Sequence, residues 1–351
     1  AGPITSQYFY FDGGYWQDSG STFNNYAELG GSSPGSTTVG GITSLYWANP
    51  GGSVTFYTDA ATIIINNGMH FPTAHLIEVD DVSLSDTYFF PTTYDGLVID
   101  FSSVGGIRPR KIRTYTNALQ NVACWTNDTI SQVWAAQPPN AYKIAVTGDS
   151  TTGGSAGGPY TNRDSWPYRF ARMIGCENIT PNGVGGTGFV ATGTYGFNFL
   201  ASAQMYPLIN PDVLLIAGNL NDGSTGAAAE QAAVIQFLQY FRSICPNALV
   251  VAFGPWGGVY NGNSTILNCE ANLAAGIAAM NDPFMFFIPL IARPSGFPWI
   301  TGTGRISAQV AGNSSKYVYT DGVHPTALAH KDYMPRVYAE AFKNLISSLP
   351  Y

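Results

Sequence analysis

The chain has 351 residues, of which 11% are charged, 14% are aromatic and 40 are glycine, and its formal net charge is −7. This is too apolar and aromatic for a disordered chain, and it is long enough for two domains with a buried core. The negative balance, with no run of Lys or Arg, argues against a nucleic-acid surface, because such surfaces gain affinity from clustered cations.

No apolar stretch approaches the roughly 20 residues that a membrane helix needs. The chain opens on AGPITSQYFYF, without Met and without a signal peptide's basic and apolar regions, so it is expected to be a processed product or an excised fragment. Low charge with many Tyr and Gly suggests an extracellular protein, secreted or on a virion or phage-tail surface.

Residues 1–139 carry short strand-like pieces divided by Gly, Asn and Asp: GSVTFYT, TIIINNG, HLIEVDD, GLVIDFSS and RKIRTYT. They are rich in Val, Ile, Thr, Tyr and Phe and predict an all-β sandwich or barrel. Pro138-Pro139 reads as a linker.

From residue 140 to 351 strands alternate with helices. YKIAVTG stops at Gly, and SWPYRFARMIG follows as a helix with Ser165 or Asp164 as cap and Pro167 in its first turn. DVLLIAG, ALVVAFG and FMFFIP are further buried strands. AAAEQAAVIQFLQYFRSIC, EANLAAGIAAM and PTALAHKDYMPRVYAEAFKNLISSL are helical. Continuous apolar strands between helices predict a doubly wound parallel sheet covered on both faces. Its functional loops then leave the carboxyl ends of the strands.

Two serine patterns compete near the first of these strands. Ser150, in Gly148-Asp149-Ser150, lies at the carboxyl end of YKIAVTG, where a tight turn can project it. Ser155 sits in Gly153-Gly154-Ser155-Ala156-Gly157, which fits G-x-S-x-G but lacks the flanking strand and helix. The same pattern recurs at Gly31–Gly35, in the β half. Ser150 is therefore the expected nucleophile.

Of four histidines, His70 and His75 fall in the β half and read as loop or strand residues, a metal role being the alternative. His330 falls inside the last helix and reads as a packed or surface residue. His324 stands in Asp321-Gly322-Val323-His324, before a helix that starts at Pro325. A carboxylate three residues earlier can bond Nδ1 of the ring and leave Nε2 for the serine. The loops NGVGGTGF and AGNLNDG can aim N–H groups at a developing oxyanion. Cys124, Cys176, Cys245 and Cys269 have no metal-like spacing. Cys245 and Cys269 flank ALVVAFG, a strand of roughly 20 Å, and no bridge between them is expected.

These blocks, in order, resemble the SGNH hydrolases, also called GDSL esterases. Gly148-Asp149-Ser150 matches the first block, and Gly186, with Gly185 as its rival, matches the glycine of the second. Asn221 in Asn221-Asp222 matches the asparagine of the third, although here Asn219 separates it from Gly218 by one residue more than the usual G-x-N-D. Asp321 and His324 match the last block. The order of a β-sandwich before an SGNH domain is similar to carbohydrate esterases and polysaccharide-deacetylating phage-tail proteins.

The resemblance implies a Ser150–His324–Asp321 triad, an oxyanion hole of Ser150 N–H, Gly186 N–H and the Asn221 amide, and no metal or organic cofactor. Asp149 is expected to brace the loop rather than to act on substrate. The expected substrate is an acetylated polysaccharide or another ester. Trp256 and Tyr260, following ALVVAFG, are expected to stack on sugar rings, packing under the loop being the alternative. A lipase or thioesterase of the same family, and a relict carbohydrate-binding adhesin, are the competing readings. The oligomeric state is left open.

Overall fold

The computed structural model describes residues 10–349 apart from 13, 19–24, 30–35, 40–41, 47–51, 67–74, 89–96, 117–119, 122, 127–129, 136–141, 155–157, 159–160, 194–195, 259–263, 292–299 and 301–311. It contains two compact units. The first takes residues 1–33, 50–139 and 160–163, and the second takes 34–49, 140–159 and 164–351. A division at 139/140 thus accounts for all but two short segments. Pro138-Pro139 and His70 lie outside the described residues. Among the described residues no helix is long and apolar enough to cross a membrane.

The first unit is antiparallel. Gly52–Thr58 lies between Tyr10–Asp12 and Arg110–Thr116, the latter pairs with His75–Val79, and Val133–Ala135 also pairs with Gly52–Thr58. A second sheet sets Thr62–Asn66 between Leu97–Asp100 and Ala123–Thr126. Alternate residues of the two sheets share one core. Val54, Phe56, Ile77 and Ile112 come from the first sheet, and Ile63, Ile65 and Ile99 from the second. The period of two that turns these residues toward one core gives the sandwich the sequence predicts.

The second unit is built on five parallel strands, β1 (Ile144–Gly148), β2 (Ile179–Gly183), β3 (Val213–Ala217), β4 (Leu249–Phe253) and β5 (Met285–Ile288), in the order β2-β1-β3-β4-β5. Its main helices are α1 (Ser150–Gly153), α2 (Trp166–Met173), α3 (Ala227–Ile244), α4 (Ser264–Met280) and α5 (Met334–Ser348). A π-helical turn, Ala329–Tyr333, precedes α5.

The sheet faces divide by the same period of two. Val146, Leu215 and Val251 pack with α2 and α5, where Phe170 meets Phe342 edge-on at 5.4 Å and Phe253 stacks on Tyr338 at 4.7 Å. Ala145, Leu214, Ile216 and Val250 pack with Phe237, Leu238 and Phe241 of α3 and with Leu273 and Ile277 of α4. This is the α/β/α sandwich expected from the strand and helix pattern. The strand β2 adds to that expectation. Its sequence ITPNG contains Pro181, which is tolerated because β2 is an edge strand.

Candidate active site

The carboxyl ends of the strands fall in one register row: Gly148 pairs with Gly183 and Ala217, Ala217 with Phe253, and Phe253 with Ile288. The loops beyond this row carry the expected site residues. Gly148 has to be glycine, because a Cβ there would collide with Thr152 Oγ1 and lie 2.5 Å from the Ala217 carbonyl. The turn closes at once into α1, with Asp149 as its cap.

Asp149 is buried and accepts Thr151 N–H at 2.9 Å, Thr151 Oγ1 at 2.7 Å, and the N–H of Asn219 from the loop after β3. Burial pushes its carboxyl up, and these bonds act against the shift. It braces the turn as expected. Thr152 Oγ1 donates to Ala217 O at 3.1 Å and fastens α1 to the neighbouring strand.

Ser150 Oγ stands 2.9 Å from His324 Nε2, and His324 Nδ1 stands 2.6 Å from Asp321 Oδ2. The other Asp321 oxygen accepts Val323 N–H at 2.9 Å and His324 N–H at 3.0 Å, so one carboxylate holds both the ring and the turn that carries it. Burial works to raise the Asp321 carboxyl, but the three bonds from Val323 and His324 outweigh it and hold the group below the usual carboxylate range. The His324 loop is closed by Tyr319 N–H on His324 O at 2.8 Å and Thr326 N–H on Tyr317 O at 2.9 Å.

The loop after β2 carries Gly186, whose φ of +78° is a left-handed value that favours glycine. The loop after β3 carries Asn221, which is exposed and donates Nδ2 to Thr187 O at 2.9 Å. Asp222, beside it, is fully buried. It accepts the N–H groups of Phe189 at 2.7 Å, Val190 at 3.1 Å and Ala191 at 2.7 Å, so it ties the two loops together. Sequence reasoning gave Asp222 no role, although the Asn-Asp pair was in view.

Asn219 turns inward, with φ +120° and its amide donating to Glu230 Oε1 at 2.8 Å and Cys269 O at 2.9 Å. The one-residue excess in this loop is thus absorbed by a buried Asn219, and Asn221 keeps the outer position.

One expectation is corrected. Trp256 does not offer a face to sugar. It is 7% exposed, its Nε1–H donates to Val323 O at 2.7 Å, and its ring packs edge-on to Tyr333 at 6.1 Å. A carbonyl 67 positions away and a half-buried aromatic neighbour claim both its polar and its apolar surface. Tyr260 and Ser155 lie outside the described residues. His330 is buried and takes the Trp166 N–H on Nδ1 at 3.4 Å. His75 is buried in the first unit. Cys245 and Cys269 are both free thiols, as expected.

A parallel sheet covered on both faces, with a hydrogen-bonded serine, histidine and aspartate along its carboxyl edge, defines a hydrolase class. Residues 146–331 match the GDSL-like Lipase/Acylhydrolase family, and the chain belongs to that family. It is an ester hydrolase. No curated protein matches it in sequence.

Among solved structures, it is similar to a family two carbohydrate esterase from Clostridium thermocellum in complex with cellohexaose, at 14% identity and TM-score 0.65, over 97% of this chain and 100% of that one. The acetyl xylan esterase Est2A from Butyrivibrio proteoclasticus is similar at 12% identity and TM-score 0.65, over 98% and 96%. A family two carbohydrate esterase from Cellvibrio japonicus is similar at 12% identity and TM-score 0.67, over 98% and 97%. At such identities the likeness is one of fold, and it extends through both units.

Proposed function

We propose that this enzyme is a serine esterase that removes O-acetyl groups from a polysaccharide. The observation that carries the reading is the continuous row from Ser150 Oγ through His324 to Asp321, at 2.9 and 2.6 Å. Ser150 Oγ attacks the acetyl carbonyl while His324 Nε2 takes its proton, and Asp321 stabilises the imidazolium through Nδ1–H. Ser150 N–H, Gly186 N–H and the Asn221 amide receive the negative charge on the former carbonyl oxygen. The tetrahedral centre collapses as His324 returns the proton to the leaving sugar oxygen. Water then attacks the acetyl-Ser150 ester, again giving its proton to His324, and acetate leaves with Ser150 restored.

The sugar substrate is supported by the neighbours over both units, one seen with cellohexaose and one an acetyl xylan esterase. A surface-exposed or secreted location fits such a polymer and belongs to the same proposal. The test is acetate release from a panel of acetylated polysaccharides, beside turnover of 4-nitrophenyl acetate. Ser150→Ala is expected to lower kcat on the order of 10⁶-fold. A fluorophosphonate is expected to label Ser150 in the wild type and to fail in His324→Ala. Turnover of long-chain acyl or thioester substrates alone would favour the lipase or thioesterase reading. Glycan binding without any turnover would favour the adhesin.

A further inference from the structure

The loop that carries Asn221 is held from inside by a buried side chain. Asn219 keeps a φ of +120°, a value that residues with a side chain rarely adopt, and four bonds hold it there. Its N–H goes to Asp149, its carbonyl accepts Asp222 N–H at 2.9 Å, and its side-chain amide donates to Glu230 Oε1 and Cys269 O. Glu230 stands in the first turn of α3 and is 1% exposed. Its other oxygen accepts Asn272 Nδ2 of α4 at 2.7 Å, and Asn272 Oδ1 accepts Gln231 Nε2 at 3.3 Å. The carboxylate therefore receives one amide N–H on each oxygen, one from the loop and one from a helix.

We propose that Glu230 is a positioning residue for the reaction: through the Asn219 amide it fixes the 218–222 turn, and thereby the direction in which Asn221 meets the acyl oxygen. The inference rests on the reading of Asn221 given above. The ionised carboxylate is acceptor-only at both oxygens. A protonated acid, or a glutamine in its place, puts a donor against one of the two amides. Asn272 lies on an 17-residue helix, whereas Asn219 lies in a short turn with strained φ, so the turn yields first.

Burial pushes Glu230 up to about 7, the Asn272 and Asn219 bonds act against that rise, and the negative charge of Asp222 adds to it. The other titratable neighbour among the described residues, Cys269, is pushed up to about 12 by burial and stays a neutral thiol. The clamp is thus engaged above about pH 7 and loosens below it.

The experiment compares kcat and KM of the full chain for 4-nitrophenyl acetate across pH in wild type, Glu230→Gln, Asn219→Gly and Asn221→Ala. Glu230→Gln is expected to lower kcat about 10–100-fold at pH 8 with KM within about threefold. Because glutamine mimics the protonated acid, the gap to wild type is expected to close to about threefold by pH 5.5. A merely structural defect would give a ratio independent of pH, and that result would overturn the proposal.

If Glu230→Gln does not fold, Asn219→Gly, which frees the turn while relieving its φ, is expected to lower kcat about tenfold. Full kcat there would equally overturn it. A large loss in Asn221→Ala with none in these two variants removes only this inference. No loss in Asn221→Ala removes the oxyanion reading, and the inference with it.

Discussion

Glu78 of the first unit and the carboxylates under the loops of the second are buried to the same depth and held by different means. In the first unit Glu78 is 2% exposed. It meets Arg163 Nε at 2.9 Å, the Tyr115 hydroxyl at 2.7 Å and Arg113 Nη1 at 3.9 Å. In the second unit Asp149, Asp222 and Glu230 are 1% exposed or less, and the bonds they accept come from backbone N–H groups, a hydroxyl and side-chain amides. A paired charge mainly resists unfolding, because losing its partner strands a buried ion. A carboxylate bonded to the neutral groups of loops instead records where those loops must be. Damage at Glu78 should therefore appear as lost stability, and damage at the carboxylates under the loops mainly as lost rate.

The largest test is Arg163→Met. Removing the nearest cation from Glu78 is expected to cost about 3–5 kcal/mol of stability, read by denaturant unfolding. The rate per folded molecule is expected to stay within about threefold. A large fall in kcat with stability kept would break the comparison at its first term.

Asn221→Ala tests the other side. An oxyanion donor removed lowers kcat about 10²–10³-fold, or about 2.7–4 kcal/mol of barrier, with KM nearly unchanged. Asn221 is exposed, so stability is expected to move by no more than about 0.5 kcal/mol. The reverse pattern, stability lost and rate kept, would make the loop a structural feature like Glu78.

Trp256 lies between the two cases, since it is buried like a core residue yet bonds Val323, the residue next to His324. Trp256→Phe keeps the packing and leaves Val323 O without its donor. Steady-state kinetics are expected to show kcat about tenfold lower, from about 1.4 kcal/mol of lost positioning. Binding of acetylated polysaccharide is expected to be unchanged, because the ring faces Tyr333 rather than solvent. Weakened glycan binding with kcat kept would restore the sugar-stacking role.

What the sequence disclosed follows from how local each signal is. The Asp321–His324 pair was legible because three residues across one turn fix its geometry, and Ser150 because a strand end and a glycine mark it. The strands of both units were legible from runs such as GSVTFYT and DVLLIAG. The edge strand β2 was not, because ITPNG has a proline and an asparagine and an edge position shows only in the sheet. Between sugar stacking and packing, Trp256 was undecidable because its partner is 67 residues away. Glu230 left a trace that was not used: with Val234, Phe237, Leu238 and Phe241 it lies on the buried stripe of α3, where a lone acid calls for a partner. Its partners, Asn219 and Asn272, carry no motif of their own.

The smallest expected effect, and the one that separates the units most directly, is their response to mild acid. Burial holds His75 of the first unit down at about 4 and His330 of the second down at about 3. In each case the unfolded chain takes the proton first, near the ordinary 6.5, so stability is complete above that value and is lost as pH falls. Glu230 runs the other way. Its folded value of about 7 lies above the ordinary 4.5, so the folded second unit takes that proton first and gains stability as pH falls through 7. Asp149, raised by burial, acts in the same sense. Between pH 7 and 5.5 each histidine costs about 1 kcal/mol, and Glu230 returns about 1–2 kcal/mol. Hydrogen exchange at the two pH values, corrected for intrinsic rates, should show the strands Gly52–Thr58 and Arg110–Thr116 weakened while β1 and β3 hold. His75→Phe should remove the loss in the first unit, and Glu230→Gln should expose it in the second. Equal weakening of both units in the wild type would mean that Glu230 takes up no proton in this range, and the two ways of holding a buried carboxylate would then be indistinguishable to acid.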